Sequence, residues 1–127
     1  MMPLGSGIDI VEIDRIKHIL EKEHGERFIE KILHVKEQDE YHVHQNQAAF
    51  LAKRFAVKEA MAKALGSGIG REIGFTDMYV EHDELGKPSL AFTHETSQRL
   101  QLVNKHIMLT IADERAYAVA HVLIFEC

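Results

Sequence analysis

Residues 48–70 read AAFLAKRFAVKEAMAKALGSGIG, and the rest of the chain arranges itself around them. From Ala48 to Leu65 there is neither glycine nor proline. The stretch is rich in alanine, the best helix former, so it predicts the longest helix of the protein. Gly66-Ser67-Gly68-Ile69-Gly70 ends that helix abruptly, as glycine does at helix C-termini. Glu59 and Lys63 are four apart and share a face, with the acid on the favoured N-terminal side. By spacing alone they read as an exposed ion pair worth roughly 0.2–0.5 kcal/mol. Their neighbours argue for more, because Ala56, Ala60, Ala62 and Ala64 leave room for another backbone or a ligand to approach. The glycines alone say less. Exposed N–H groups in such a turn can cradle a phosphate, but a helix C-terminus carries the negative end of the dipole. A phosphate-binding loop of the Walker type has the reverse order, with glycines before the helix.

Outward from this helix, the upstream segment Gly7–Ile13 (GIDIVEI) alternates over β-branched residues and predicts a strand, with Ile8, Ile10 and Val11 expected to be buried on at least one face. Asp14 is placed to cap a helix carrying Ile16, Ile19 and Leu20, and Gly25 to stop it. Phe28, Ile29, Ile32 and Leu33 form a second short apolar stripe. Lys36–Gln47 is polar and reads as a surface helix or a loop, with only Tyr41 and Val43 as candidates for packing. Downstream, Phe75–Glu81 predicts a strand, residues 82–88 a turn and Ser89–Phe92 a returning strand. Thr93 is placed to cap a helix running to Leu102. His106–Ala112 and Ala116–Phe125 read as two strands joined by Asp113-Glu114-Arg115. The expected fold is therefore α+β, with an antiparallel sheet packed against a long central helix, in a single domain spanning residues 1–127.

Composition narrows the function classes. The hydrophobic fraction of 46% and charged fraction of 28% are ordinary for a soluble globular protein. A net charge of −5 gives bulk electrostatics no pull on nucleic acid. No segment approaches the ~20 apolar residues of a membrane span, and the acidic start by Asp9 argues against a cleaved signal peptide. The lone Cys127 cannot form an internal bridge, which fits a reducing, cytoplasmic setting. The histidines offer no familiar zinc spacing. His42 and His44 read as solvated, and His106 and His121 as facing solvent or an interface. Asp9 is the odd residue. Aspartate is depleted in strands because it competes for backbone hydrogen bonds, so this one is either an outward-facing residue or a metal ligand.

Taken in order, residues 7–16 (GIDIVEIDRI), 50–60 (FLAKRFAVKEA) and 63–70 (KALGSGIG) closely resemble the bacterial holo-[acyl-carrier-protein] synthase family, the small class of 4′-phosphopantetheinyl transferases. Residues 83–88 (DELGKP) and 110–118 (TIADERAYA) fit the same family, so the resemblance covers nearly the whole chain. It implies transfer of the 4′-phosphopantetheine arm of coenzyme A to a serine of apo-acyl carrier protein, in support of fatty acid biosynthesis, with release of adenosine 3′,5′-bisphosphate. It implies that Asp9 and Glu59 hold Mg²⁺, that Lys63 attends the leaving phosphate, and that Glu59 accepts the serine proton. Lys53, Arg54, Gly66, Gly68 and Lys87 are implied in coenzyme A binding, Arg15 in carrier-protein contact. The class also resembles homotrimers whose active sites are shared between neighbouring subunits. Many relatives carry Ser-His-Thr where this chain has Ala112-Asp113-Glu114, so a histidine contact does not transfer; others do show Ala-Asp-Glu-Arg. Two rival readings are a non-catalytic nucleotide- or carrier-binding module of the same fold, and another Mg²⁺-dependent phosphoryl-transfer enzyme. The joint presence of Asp9, Glu59 and Lys63 favours the transferase.

Overall fold

The computed structural model describes residues 2–127. Strand β1 (Pro3–Glu12) leads into four helices, α1 (Ile13–Leu20), α2 (Gly25–Ile32), α3 (Val35–Val43) and α4 (Gln47–Ala64). A hairpin, β2 (Met78–His82) and β3 (Pro88–Phe92), precedes the short α5 (His94–Arg99) and the strands β4 (Lys105–Asp113) and β5 (Tyr117–Glu126). The main sheet has the order β1-β5-β4 and is antiparallel throughout; β2 and β3 form a separate antiparallel pair. Helix α4 lies across the main sheet, with its residues buried on nearly every side, which is the condition of a central helix. The α+β expectation holds.

The contact between β1 and α4 explains the alternation of the N-terminal strand. Gly5, Gly7, Asp9 and Val11 share one face of β1, since side chains alternate along a strand. A Cβ on Gly5 would lie 2.0 Å from the carbonyl oxygen of Ala64, and one on Gly7 would lie 1.9 Å from that of Ala60. The strand therefore rides backbone to backbone on the helix, at a spot where neither partner has room for a larger side chain. The expectation that Ile8 and Ile10 are buried is corrected. They are 61% and 63% exposed on the outer face, while Val11 on the inner face is 2% exposed. The glycines occupy the covered face because the helix comes too close for anything else.

Other boundaries moved for identifiable reasons. Helix α1 begins at Ile13 after Glu12, so Asp14 sits inside the first turn, where its charge favours the helix dipole, rather than at the cap. Gly25 opens α2, and a Cβ there would lie 2.5 Å from the Leu20 carbonyl oxygen, so it lets the two helices meet closely. The polar segment after Lys36 is helical. His34 and Glu37 close a capping box, with Lys36 N–H donating to His34 Nδ1 and His34 N–H donating to Glu37 Oε1, each at 3.0 Å. Tyr41 packs in the core, whereas Val43 is exposed. Phe75–Asp77 forms a short 3-10 turn instead of strand, held by the Gly74 N–H donating to Asp77 Oδ2 at 2.7 Å. Thr93 caps α5 as expected, although that helix stops at Arg99. Asn46 caps α4 by accepting from Ala49 N–H at 3.1 Å.

Candidate active site

The inner face of β1 delivers Asp9 to the C-terminal half of α4. There Lys63 Nζ donates to Asp9 Oδ1 at 2.9 Å and to the Ile8 carbonyl at 3.0 Å. Lys63 is thus bound to the distant strand, not to Glu59 one turn back as spacing suggested. Glu59 is half-buried, and its carboxyl pKa is raised above the ordinary value. Burial is the main cause and the Asp9 charge adds to it; Lys63 and Arg15 pull the other way. Two carboxylates and two cations therefore meet at one end of α4, with Arg15 supplied by α1.

The glycine tail follows directly. Gly66, Gly68 and Gly70 have φ of 88°, 73° and 101°, a region L-residues with side chains rarely adopt. A Cβ on any of them would meet nothing within 4 Å. Backbone conformation, not crowding within the chain, is what requires them. Gly66 N–H donates to the Lys63 carbonyl at 2.9 Å, so the capping role is real.

A cleft lies on the other side of the helix. Phe50, Lys53 and Arg54 line a cleft of 260 Å³ together with Gly86, Pro88 and Asp113. At about 100° of rotation per residue, Phe50 and Arg54 leave α4 roughly opposite Glu59 and Lys63. Lys87 is exposed on the turn between Gly86 and Pro88. The structure thus sorts the sequence-based candidates into two groups. Asp9, Glu59 and Lys63 come together, with Gly66 and Gly68 just beyond them. Lys53 and Arg54 line the cleft, with Lys87 on the turn beside it.

Arg54 also belongs to a buried ion network that the sequence did not reveal. Its guanidinium donates to Glu37 Oε2 at 3.0 Å and to Glu40 Oε1 at 3.1 Å, and lies 4.3 Å from the centre of the Phe50 ring. Lys58, fully buried, donates to Glu37 Oε1 and to the Ile32 carbonyl, both at 2.6 Å. Burial pulls the Lys58 ammonium below the ordinary lysine range, and the facing Glu37 carboxylate opposes that shift. Glu37 also accepts from Val80 N–H at 3.0 Å, so one acid joins α3, α4 and β2. Arg54 and Lys58 stand four apart on a mostly apolar helix, a spacing that calls for a buried anion, but nothing local in the sequence points to Glu37 as that anion.

A family described as the 4′-phosphopantetheinyl transferase superfamily matches residues 5–121. The chain belongs to that superfamily. A holo-[acyl-carrier-protein] synthase from Pectobacterium atrosepticum is 47% identical over 125 residues, covering 98% of each chain. One from Vibrio cholerae is 44% identical, covering 97% of this chain and 98% of the relative. Among solved structures, the synthase of Neisseria meningitidis superposes with a TM-score of 0.91 at 35% identity, over 98% of this chain and 100% of its own. The Bacillus anthracis synthase, solved in complex with CoA (3′,5′-ADP), gives a TM-score of 0.81 at 35% identity, over 98% and 97%. The match begins at Gly5 and ends at His121, so it takes in both groups of residues. No helix among the described residues is long and apolar enough to cross a membrane.

Proposed function

We propose that this chain transfers the 4′-phosphopantetheine group of coenzyme A to a serine hydroxyl of apo-acyl carrier protein. The products are holo-acyl carrier protein and adenosine 3′,5′-bisphosphate. The observation that carries the reading is the junction of Asp9, Glu59 and Lys63 at the glycine contact between β1 and α4. In the reaction the serine oxygen bonds to the β-phosphorus of coenzyme A, and the bond from that phosphorus to the bridging oxygen breaks. Glu59 takes the serine proton, a role supported by its raised pKa, because a base works best when its pKa approaches the working pH. Lys63 has three N–H donors and uses two within the chain, which leaves one for the departing phosphate. Asp9 orients that ammonium.

The donor set also suits a magnesium ion. Two carboxylates close enough for the Asp9 charge to raise the Glu59 pKa, facing a substrate rich in phosphate oxygen, are the hard ligands such a cation takes. Among the described residues no group of three or more His, Cys, Asp or Glu side chains is gathered to hold a metal by protein ligands alone, so substrate oxygens and water would have to supply the remaining ligands. Asp9 and Glu59 would hold such an ion, which would supply charge neutralisation at the diphosphate.

The cleft at Phe50, Lys53, Arg54 and Pro88 suits the nucleotide end of coenzyme A, with Lys87 at its rim. Gly66 and Gly68, bare of side chains beside Lys63, suit close passage of the pantetheine phosphate. Because cleft and acid cluster leave α4 on roughly opposite faces, a molecule seated in one chain's cleft points away from that chain's acids. This supports a homotrimer in which each active site joins the cleft of one subunit to the acids of its neighbour. The outer sheet face, where Leu4, Ile8, Ile10 and Met108 are exposed, supports the same assembly. Arg15, exposed on α1 and near enough to act on Glu59, suits an acidic carrier protein that brings its serine to that carboxylate. The protein works in the cytoplasm as one catalytic domain.

Incubating the protein with coenzyme A, Mg²⁺ and apo-acyl carrier protein, then weighing the carrier, tests the reading. The carrier is expected to gain the mass of one phosphopantetheine unit. No gain across several carriers overturns it.

A further inference from the structure

The cleft on the Arg54 face carries its own counter-charges. Lys53 Nζ sits 3.9 Å from Asp113 Oδ2. Arg54 donates from one terminal nitrogen to Glu37 and from the other to Glu40, and its side chain is only 5% exposed. Lys53, Arg54, Glu40 and Asp113 all line the cleft, so two cations face two anions there. While both ion pairs stand, Lys53 and Arg54 offer a phosphate little free positive charge.

The three carboxylates are not equivalent. Glu37 is sealed in the core and is shared with Lys58 and the Val80 N–H, so it stays in place. The side chains of Glu40 and Asp113 are 53% and 38% exposed. Each has one ionic partner in the cleft and can turn into water; Lys53 is then left partly exposed, while the buried Arg54 is left with one terminal nitrogen for a phosphate oxygen to take over from Glu40. They come from α3 and from the end of β4, so they approach the two cations from separate sides.

We infer that Glu40 and Asp113 set the nucleotide affinity of this cleft by occupying Arg54 and Lys53 until a phosphate displaces them. The inference rests on the transferase reading above. An incoming phosphate has to break two ion pairs, and the released carboxylates remain close enough to repel it. The same competition acts on the product, so adenosine 3′,5′-bisphosphate leaves readily as the carboxylates return to their cations. The two acids are therefore specificity-determining, in that they act on the charge of the ligand and leave its base untouched.

Calorimetric titration of adenosine 3′,5′-bisphosphate and of uncharged adenosine into the wild-type protein, Glu40→Gln, Asp113→Asn and the double variant tests this. Each single change is expected to tighten bisphosphate binding by about three- to tenfold at low salt, and the double change by more. The gain should shrink as salt rises, adenosine binding should not change, and KM for coenzyme A should fall in parallel. Bisphosphate affinity that is unchanged or weaker in both single variants overturns the inference, as does an equal tightening for adenosine. Wild-type protein that binds neither bisphosphate nor coenzyme A overturns the transferase reading and this inference with it, and that failure is visible before any variant is made.

Discussion

Glu59 pays a cost for its position. Its carboxyl is half-buried beside Asp9, so the folded protein holds the Glu59 proton more tightly than the unfolded chain does. Its contribution to stability therefore falls as pH rises from the ordinary carboxyl value through the raised folded one, and the loss is complete above both. Glu59→Gln removes that loss. The variant is expected to melt at a higher temperature than wild type at pH 7, with the gap closing towards pH 4, while transfer activity falls by about 100-fold or more. Thermal melts across that pH range and the carrier mass assay check it; a variant that melts lower at pH 7, or that keeps near-normal turnover, counts against the assigned role. Asp9 was legible at this scale because an acid in an apolar strand is conspicuous. The partner of Lys63 was not. Helical spacing offers Glu59, and only the fold shows that a residue on β1 takes the ammonium instead.

Helix α4 and its glycine tail were readable from alanine content and the stop signal, and the observed helix begins one residue before and ends one residue before the sequence-based limits. Its packing against β1 was not readable. Gly5 falls outside the strand expected from the sequence and Gly7 only opens it, and nothing marks either as a packing residue until the Ala64 and Ala60 carbonyls are seen 2.0 and 1.9 Å from where their side chains would begin. Gly7→Ala forces the strand off the helix. It is expected to cost roughly 1–3 kcal/mol or more in chemical denaturation, and to reduce transfer by moving Asp9 away from Lys63 even where the protein stays folded. A variant with unchanged stability and activity would refute the close contact. The Glu37–Lys58–Arg54 network was equally silent in the sequence, because its members lie on different elements and buried ion pairs leave no periodic trace. Replacing one partner there strands a charge, so the network fixes how α3 and β2 sit on α4.

Across the whole molecule, α4 works as a wall with a different surface on each side. If the site joins two subunits, two defective proteins should repair each other. Glu59→Gln keeps the cleft and loses the base. The double change Lys53→Glu and Lys87→Glu keeps the acids and reverses the charge at the cleft. Each alone is expected to be nearly inactive, and equal amounts unfolded and refolded together should regain about a quarter of wild-type activity, since one neighbour pairing in four joins two intact halves. No recovery would mean that each chain serves itself. The overall architecture was legible in the sequence down to strand order in the C-terminal hairpin. The exposure of Ile8 and Ile10 was not, since a β-branched run reads as core whether it is covered by its own chain or by another copy.

The glycine contact between β1 and α4 also sets a timescale. Strand and helix meet there with no side chains between them, so no rotamer change can loosen the join, and only separation of the two backbones can open it. The amides of Ala60 to Ala64, and those of β5 opposite Gly7, therefore belong among the slowest to exchange with solvent, opening only when the protein unfolds as a whole. The turn from Gly66 to Gly70, a few residues on, is held instead by separate backbone hydrogen bonds to the Lys63, Ala62 and Ile73 carbonyls, and its amides are expected to exchange sooner. On the proposed reading, Asp9 and Glu59 are thus carried by the most persistent part of the fold, beside a turn expected to open more readily.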